Sequence, residues 1–221
     1  MRTYLYLAGA AATALAMVMT AAPASAATDV LTITKVGGSN VHVGDILKAS
    51  LVTNTTSDFF KSSTGTTGVK CSKSSFTAKV TANPGKPGTA KESVTSQTFS
   101  SCTSNVTGVL SVKSVKVGNL PYNSTISDST GFPVKVKETS STKPLKTTIV
   151  LSTVLGTITC VYTAASISGA SSNTGNTVSF TNQKFTKSSG PAGCFGSGFF
   201  TAKYGPVKDT SRTNSPAVFV N

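Results

Sequence analysis

Residues 132–138, Phe132-Pro133-Val134-Lys135-Val136-Lys137-Glu138, decide the fold class. Valine and lysine alternate with period two, so an extended segment offers valine to a core and lysine to water. Val115-Lys116-Val117 repeats the pattern, and Val30, Thr32 and Thr34 alternate with Leu31 and Ile33. Further segments rich in Val, Ile, Thr and Phe cover residues 47–53, 75–81, 94–99, 106–117, 146–154, 157–165, 178–185, 198–203 and 217–220. Their stiff side chains suit a pleated surface. Clusters of Gly, Asn, Asp, Ser and Pro separate them, at residues 35–40, 55–68, 83–88, 128–131, 169–176 and 188–198. No stretch after the first 26 residues carries the period of an amphipathic helix. The expectation is an all-β protein, an antiparallel β-sandwich-like domain braced by disulfides.

The chain echoes itself at an offset of 86 residues: Ser93-Val94-Thr95-Ser96-Gln97-Thr98-Phe99 aligns with Ser179-Phe180-Thr181-Asn182-Gln183-Lys184-Phe185. Phe76-Thr77-Ala78 falls on Tyr162-Thr163-Ala164 at the same offset, and six of 24 positions are identical. The candidate halves are residues 27–127 and 128–221. No charged or Pro-rich linker parts them, so a single domain over residues 27–221 is expected.

Residues 1–26 read as an export signal. Arg2 supplies the positive start, an Ala-rich apolar run follows, and Ala24-Ser25-Ala26 presents small residues to signal peptidase, placing the cut before Ala27. A membrane anchor is the weaker reading, because that run leads straight into a cleavage site. No later stretch approaches the roughly 20 apolar residues of a spanning helix. The expected location is therefore extracellular or at the cell wall.

The remaining 18 Lys and one Arg face seven acids, a formal charge of about +12. Arg212 is the sole guanidinium left, and arginine is the residue that reads base edges, so sequence-specific nucleic-acid binding is not expected. Dispersed lysines suit an anionic cell-envelope polymer, or simply keep a Ser/Thr-rich β protein soluble and its edges unpaired. An extracellular protein is the other partner class considered.

Cys71, Cys102, Cys160 and Cys194 form an even set in an exported chain, so two disulfides are expected. Three pairings are open. Cys71–Cys102 with Cys160–Cys194 is favoured because each then closes a similar loop. Zinc is a poor rival, with no Cys-x-x-Cys pair and only His42 to assist; no metal or cofactor is expected.

Catalysis finds little material. His42 is the single histidine, and only Asp45, three residues on, stands near it as an orienting acid. Asp29, Asp45, Asp58, Glu92, Asp128, Glu138 and Asp209 are the acids, several of them at turns. The chain is read as a non-enzyme. Candidate binding residues are aromatic: Phe59 and Phe60 in a polar loop, Tyr122 and Tyr204 beside turns, and Phe195 and Phe199 flanking Cys194 in a Gly-rich stretch. Adjacent aromatics on an extended backbone cannot both face one core, so one of Phe59 and Phe60 is expected outside. The tyrosines could instead pack over a sheet with their hydroxyls bonded to backbone.

The segment Gly156-Thr-Ile-Thr-Cys-Val-Tyr162, the run from Phe180 to Phe185 and the tail Phe200-Thr-Ala-Lys-Tyr-Gly-Pro206 resemble a group of small exported proteins of Streptomyces and related actinobacteria. That resemblance implies extracellular residence and no particular activity. The function expected is a secreted or cell-surface binding or structural protein. The alternative is a proteinaceous inhibitor of an extracellular hydrolase, using residues 186–195 or 56–70.

Overall fold

Alternation becomes burial where it was clearest. In the computed structural model, which describes residues 28–221, Val134 and Val136 turn inward and Lys135 and Lys137 stand exposed. The export-signal reading lies outside the described residues.

Sixteen strands follow among the described residues: β1 (Leu31–Ile33), β2 (Ser39–Asn40), β3 (Ile46–Ser50), β4 (Ser57–Phe60), β5 (Gly68–Ala82), β6 (Thr89–Ser104), β7 (Val109–Gly118) and β8 (Tyr122–Ser127). Then come β9 (Pro133–Lys137), β10 (Leu145–Thr153), β11 (Gly156–Ala164), β12 (Ser166–Ser172), β13 (Thr177–Ser189), β14 (Ser197–Tyr204), β15 (Lys208–Asp209) and β16 (Val218–Val220). No helix occurs among the described residues, so none is long and apolar enough to cross a membrane.

The sandwich expectation is overturned. The main sheet closes on itself, because β14 pairs with β4 and β5 pairs with β6. Several strands that are separate in sequence lie end to end against one neighbour. Both β3 and β4 pair along β5, and β7 and β8 pair along β6. Likewise β9 and β10 run between β7–β8 and β11–β12, and β14 and β15 pair with β4 and β3. The result is an antiparallel barrel of eight staves: β3/β4, β5, β6, β7/β8, β9/β10, β11/β12, β13 and β14/β15. Pro121, Pro144 and Pro206 lie in the breaks between stave segments, where a residue without N–H cannot continue the ladder.

Closure has a local cause. β5, β6 and β13 run for 15, 16 and 13 residues, and each is bent by a shift in register. Between β5 and β6, Thr77 faces Ser96 but Ala78 faces Val94, leaving Thr95 as an extra residue. Such bulges add twist and coil, which brings the first stave round to the last. A barrel leaves no open edge in the ring.

β1, β2 and β16 form a separate three-stranded cap over the end carrying the β5–β6, β8–β9 and β12–β13 turns. Asparagines fasten it. Asn83 Nδ2 donates to the carbonyls of Leu31 and Val41 (2.9 and 2.8 Å), and its Oδ1 accepts from Leu31 N–H (2.9 Å). Asn173 makes the matching pair with Val220, at 2.7 and 2.8 Å.

The disulfides join Cys71 to Cys102 across β5 and β6, and Cys160 on β11 to Cys194 in the connection before β14. This is the pairing the loop lengths favour. The segments that echo each other at 86 residues lie on staves four apart in the ring of eight, β5 with β11 and β6 with β13.

Candidate functional site

An eight-stranded barrel has an interior that side chains just fill, or one that holds a single small ligand. Here many inward positions carry small residues: Ser74, Ala78, Ser124, Gly169, Ser171 and Ala202. They leave a chamber of about 120 Å³, walled mainly by apolar side chains such as Val94, Ile126, Val136 and Phe180. Leu31, Val218 and Val220 of the cap close one end. Toward the other, Phe59 stands edge-on to Tyr162 and Phe185, with centroids 4.9 and 5.9 Å away. Gly198 makes this plug fit, since a Cβ there would lie 2.0 Å from the Phe59 ring.

Among the polar residues of the otherwise apolar wall, two groupings stand out. The first is Glu92, which points inward on β6 between Ala90 and Val94 and is 6% exposed. Its cross-strand neighbours are Ser124 on β8 and Val80 on β5. Burial pushes its carboxyl up to about 7, against a smaller opposing effect of the Ser124 hydroxyl. Among the described residues no Lys or Arg forms an ion pair with it. The second is Gln97, whose Nε2 donates to Ser74 Oγ and to the Tyr204 hydroxyl, both at 2.9 Å. Ser74 and Tyr204 are themselves 2.9 Å apart. Burial raises the Tyr204 phenol, opposed by its bonds to Ser74 and Gln97.

Sequence reasoning singled out neither Glu92 nor Gln97 as a site. The signal was present for Glu92: it occupies the inward phase of Ala90-x-Glu92-x-Val94. An acid in an apolar phase is the observation to pursue.

The expected binding residues are divided between two surfaces. Tyr122 and Tyr204 are buried in the chamber wall, and their rings face inward instead of solvent. The Tyr122 hydroxyl donates to the Gly118 carbonyl and accepts from Lys146 N–H at 2.9 Å. Phe59 and Phe60 lie on strand β4 and not in a loop; Phe59 is buried and Phe60 turns outward, 5.3 Å from Lys70 Nζ. Phe199 sits opposite Phe60 on β14, giving a half-exposed aromatic pair on the outer wall. Phe195, half-buried, lines a smaller void of about 10 Å³ with Phe59, Tyr162 and Cys160.

His42 and Asp45 do meet, but through backbone: His42 N–H donates to Asp45 Oδ2 at 2.8 Å. The same oxygen accepts from Arg212 Nε and Nη2 at 3.1 and 3.0 Å. Burial alone would raise the Asp45 carboxyl, yet these bonds outweigh it and hold it below its ordinary value. Asp209, fully buried, is raised by burial; its Oδ2 has no hydrogen-bond partner and lies 3.5 Å from Arg212 Nε. This cluster ties the β15 end of the chain to the β2–β3 turn. Asp128 is also occupied structurally, accepting from Gly88 N–H at 2.9 Å, and Asp58 accepts from Thr56 Oγ1 at 2.7 Å. Among the described residues no group of three or more His, Cys, Asp or Glu side chains converges as a metal site.

No protein-family model, curated protein or solved structure matches this chain.

Proposed function

We propose that the protein acts outside the cell as a non-catalytic binder of a small, largely apolar molecule held inside the barrel. The observation that carries this reading is the chamber: closed by hydrogen-bonded staves, capped at one end, plugged by aromatics near the other, and walled by apolar side chains. A cavity of about 150 Å³ lined by Leu, Ile and Phe stays dry and takes up benzene, so 120 Å³ suits one ring or a short branched chain. Export is supported by the leader-like first 26 residues, and two disulfides suit an oxidising compartment.

The test is methyl NMR of the folded protein titrated with benzene or toluene. Saturable shifts at Val94, Ile126 and Val136, with the exposed methyls of Leu110, Val154 and Leu155 unmoved, are expected. Inner methyls that stay put at saturating probe overturn the reading.

A second, compatible reading concerns the outer wall. Among the described residues all 18 lysines lack an ion-pair partner within 4.0 Å, since both salt bridges use Arg212. Lys48 and Lys208 even stand directly opposite each other across β3 and β15, an arrangement that costs stability in isolation. An anionic cell-envelope polymer would relieve that repulsion. Retention on a polyanion matrix that falls steeply with added salt is expected; salt-insensitive retention, or none, overturns it.

A further inference from the structure

We propose that the ligand carries a basic nitrogen, and that its ammonium pairs with the Glu92 carboxylate while its apolar body fills the chamber. The inference rests on the reading of the barrel interior as a ligand site. It starts from an imbalance of partners. An ionised carboxylate has about four acceptor positions, and Glu92 has one hydroxyl, that of Ser124, to serve them. Several other polar hydrogens on the chamber wall are committed: Tyr122 to the Gly118 carbonyl, Ser171 to the Thr177 carbonyl, Asn176 to the Val218 carbonyl, and Gln97 Nε2 within the cluster formed with Ser74 and Tyr204, while Lys146, whose residue also adjoins the space, makes no ion pair with Glu92. Among the described residues Glu92 is the sole acidic side chain lining the space, and it is nine-tenths buried.

Each ligand chemistry meets this carboxyl differently. A hydrocarbon leaves it without a partner and so favours its protonated form. A carboxylate ligand would place a second negative charge in an apolar enclosure. A protonated amine supplies both the missing charge and up to three donors in one group. The outer lysines do not forbid entry of a cation, because exposed charges are screened over about 8 Å at physiological salt. Small neighbours leave room beside the carboxyl, since Ala90 precedes it on β6 and Ser124 faces it from β8.

Proton linkage follows from the same contact. The titratable or charged residues that line the chamber with Glu92 are Tyr122 on β8, Lys146 on β10 and Tyr204 on β14; the lysines of β5, β6, β9, β13 and β14 are not part of its wall, and the cap contributes none. Glu92, raised to about 7 by burial, is thus the group whose ionisation changes near neutrality. Amine affinity should climb as pH rises through neutrality and fall again where the amine itself loses its proton.

The experiment compares benzylamine with toluene, nearly the same shape without the charge, by calorimetry and methyl NMR on the whole folded protein. At neutral pH benzylamine is expected to bind at least about tenfold more tightly than toluene, and Glu92→Gln to abolish that ratio. Should Glu92→Gln fail to fold, the wild-type Glu92 carboxyl ¹³C titration serves instead. Its midpoint should drop by more than about one pH unit with saturating benzylamine and not drop with toluene. Equal binding of both probes, or an unmoved midpoint, overturns the amine proposal and leaves the apolar chamber standing. Failure of both probes to bind overturns the chamber reading and this proposal with it.

Discussion

The Glu92 carboxyl makes a prediction about stability that needs no ligand. Moving its ionisation from 4.5 in the unfolded chain to about 7 in the fold corresponds to about 3 kcal/mol, at roughly 1.4 kcal/mol per pH unit. The sign is set by which state holds the proton. The folded protein binds it more tightly, so stability is full below about pH 4.5, falls as pH rises, and levels off above about pH 7. Glu92→Gln keeps the size and a hydrogen-bonding tip but removes the titration. The stability of Glu92→Gln relative to wild type should therefore rise by about 3 kcal/mol between about pH 4.5 and pH 8, equivalent to roughly 6–12 °C in Tm for a chain of this length. Urea unfolding of both proteins at constant ionic strength measures the difference, and groups common to both cancel. Among those are Asp45, held low and so acting in the opposite direction, and Asp209, raised like Glu92. A difference that stays flat across this range, with unchanged m-values, would refute burial of Glu92 in an apolar enclosure.

Three other perturbations address the plug, the staples and the cap. Phe59→Ala should cost about 3–5 kcal/mol, while Gly198→Ala should cost about 1–3 kcal/mol by forcing the Phe59 ring aside. Combined, the two should cost clearly less than their sum; strict additivity in a denaturant double-mutant cycle would mean that Gly198 does not make room for the ring. Replacing Cys71 and Cys102 together by Ser should lower stability by about 3–4 kcal/mol on loop-closure grounds, since the bridge spans 31 residues, with the same measurement as the check. Asn83→Ala should take the side-chain partner from Leu31 N–H and from the Val41 carbonyl, while the Leu31 carbonyl keeps its bond from Val41 N–H, for about 2–4 kcal/mol. Hydrogen exchange should then quicken at Leu31 while amides of β5 and β6 near Cys71–Cys102 keep their protection; equal loss everywhere would mean that the cap does not open separately.

Strand chemistry and disulfide partners were legible in the chain, but closure was not, and bulges explain why. Period-two alternation marks a buried face and is the same for a sandwich and a barrel. On β6 the inward phase is Ala90, Glu92 and Val94, all even, until the extra residue Thr95 moves it to Gln97 and Phe99. On β13 it is Val178 and Phe180, until a shift before Gln183 moves it to Phe185. Read in one phase, each long stave looks like a short strand followed by a polar one, and short strands suggest a sandwich. The same slip hid Glu92, whose inward phase ends two residues later, and misplaced Phe59 and Phe60, which look like loop residues because β4 is only four residues long. Tyr122 and Tyr204 looked exposed because each lies within two residues of a proline that interrupts a stave, yet the side chain before or after such a break still faces the interior. The 86-residue echo held the missing information. It superposes Val94 on Phe180 and Phe99 on Phe185, and so aligns the inward residues on either side of both bulges. Two long strands broken at the same point, four staves apart, coil opposite walls of the sheet by the same device. Curvature repeated on opposite walls is what a ring requires, and an open sandwich has no such need.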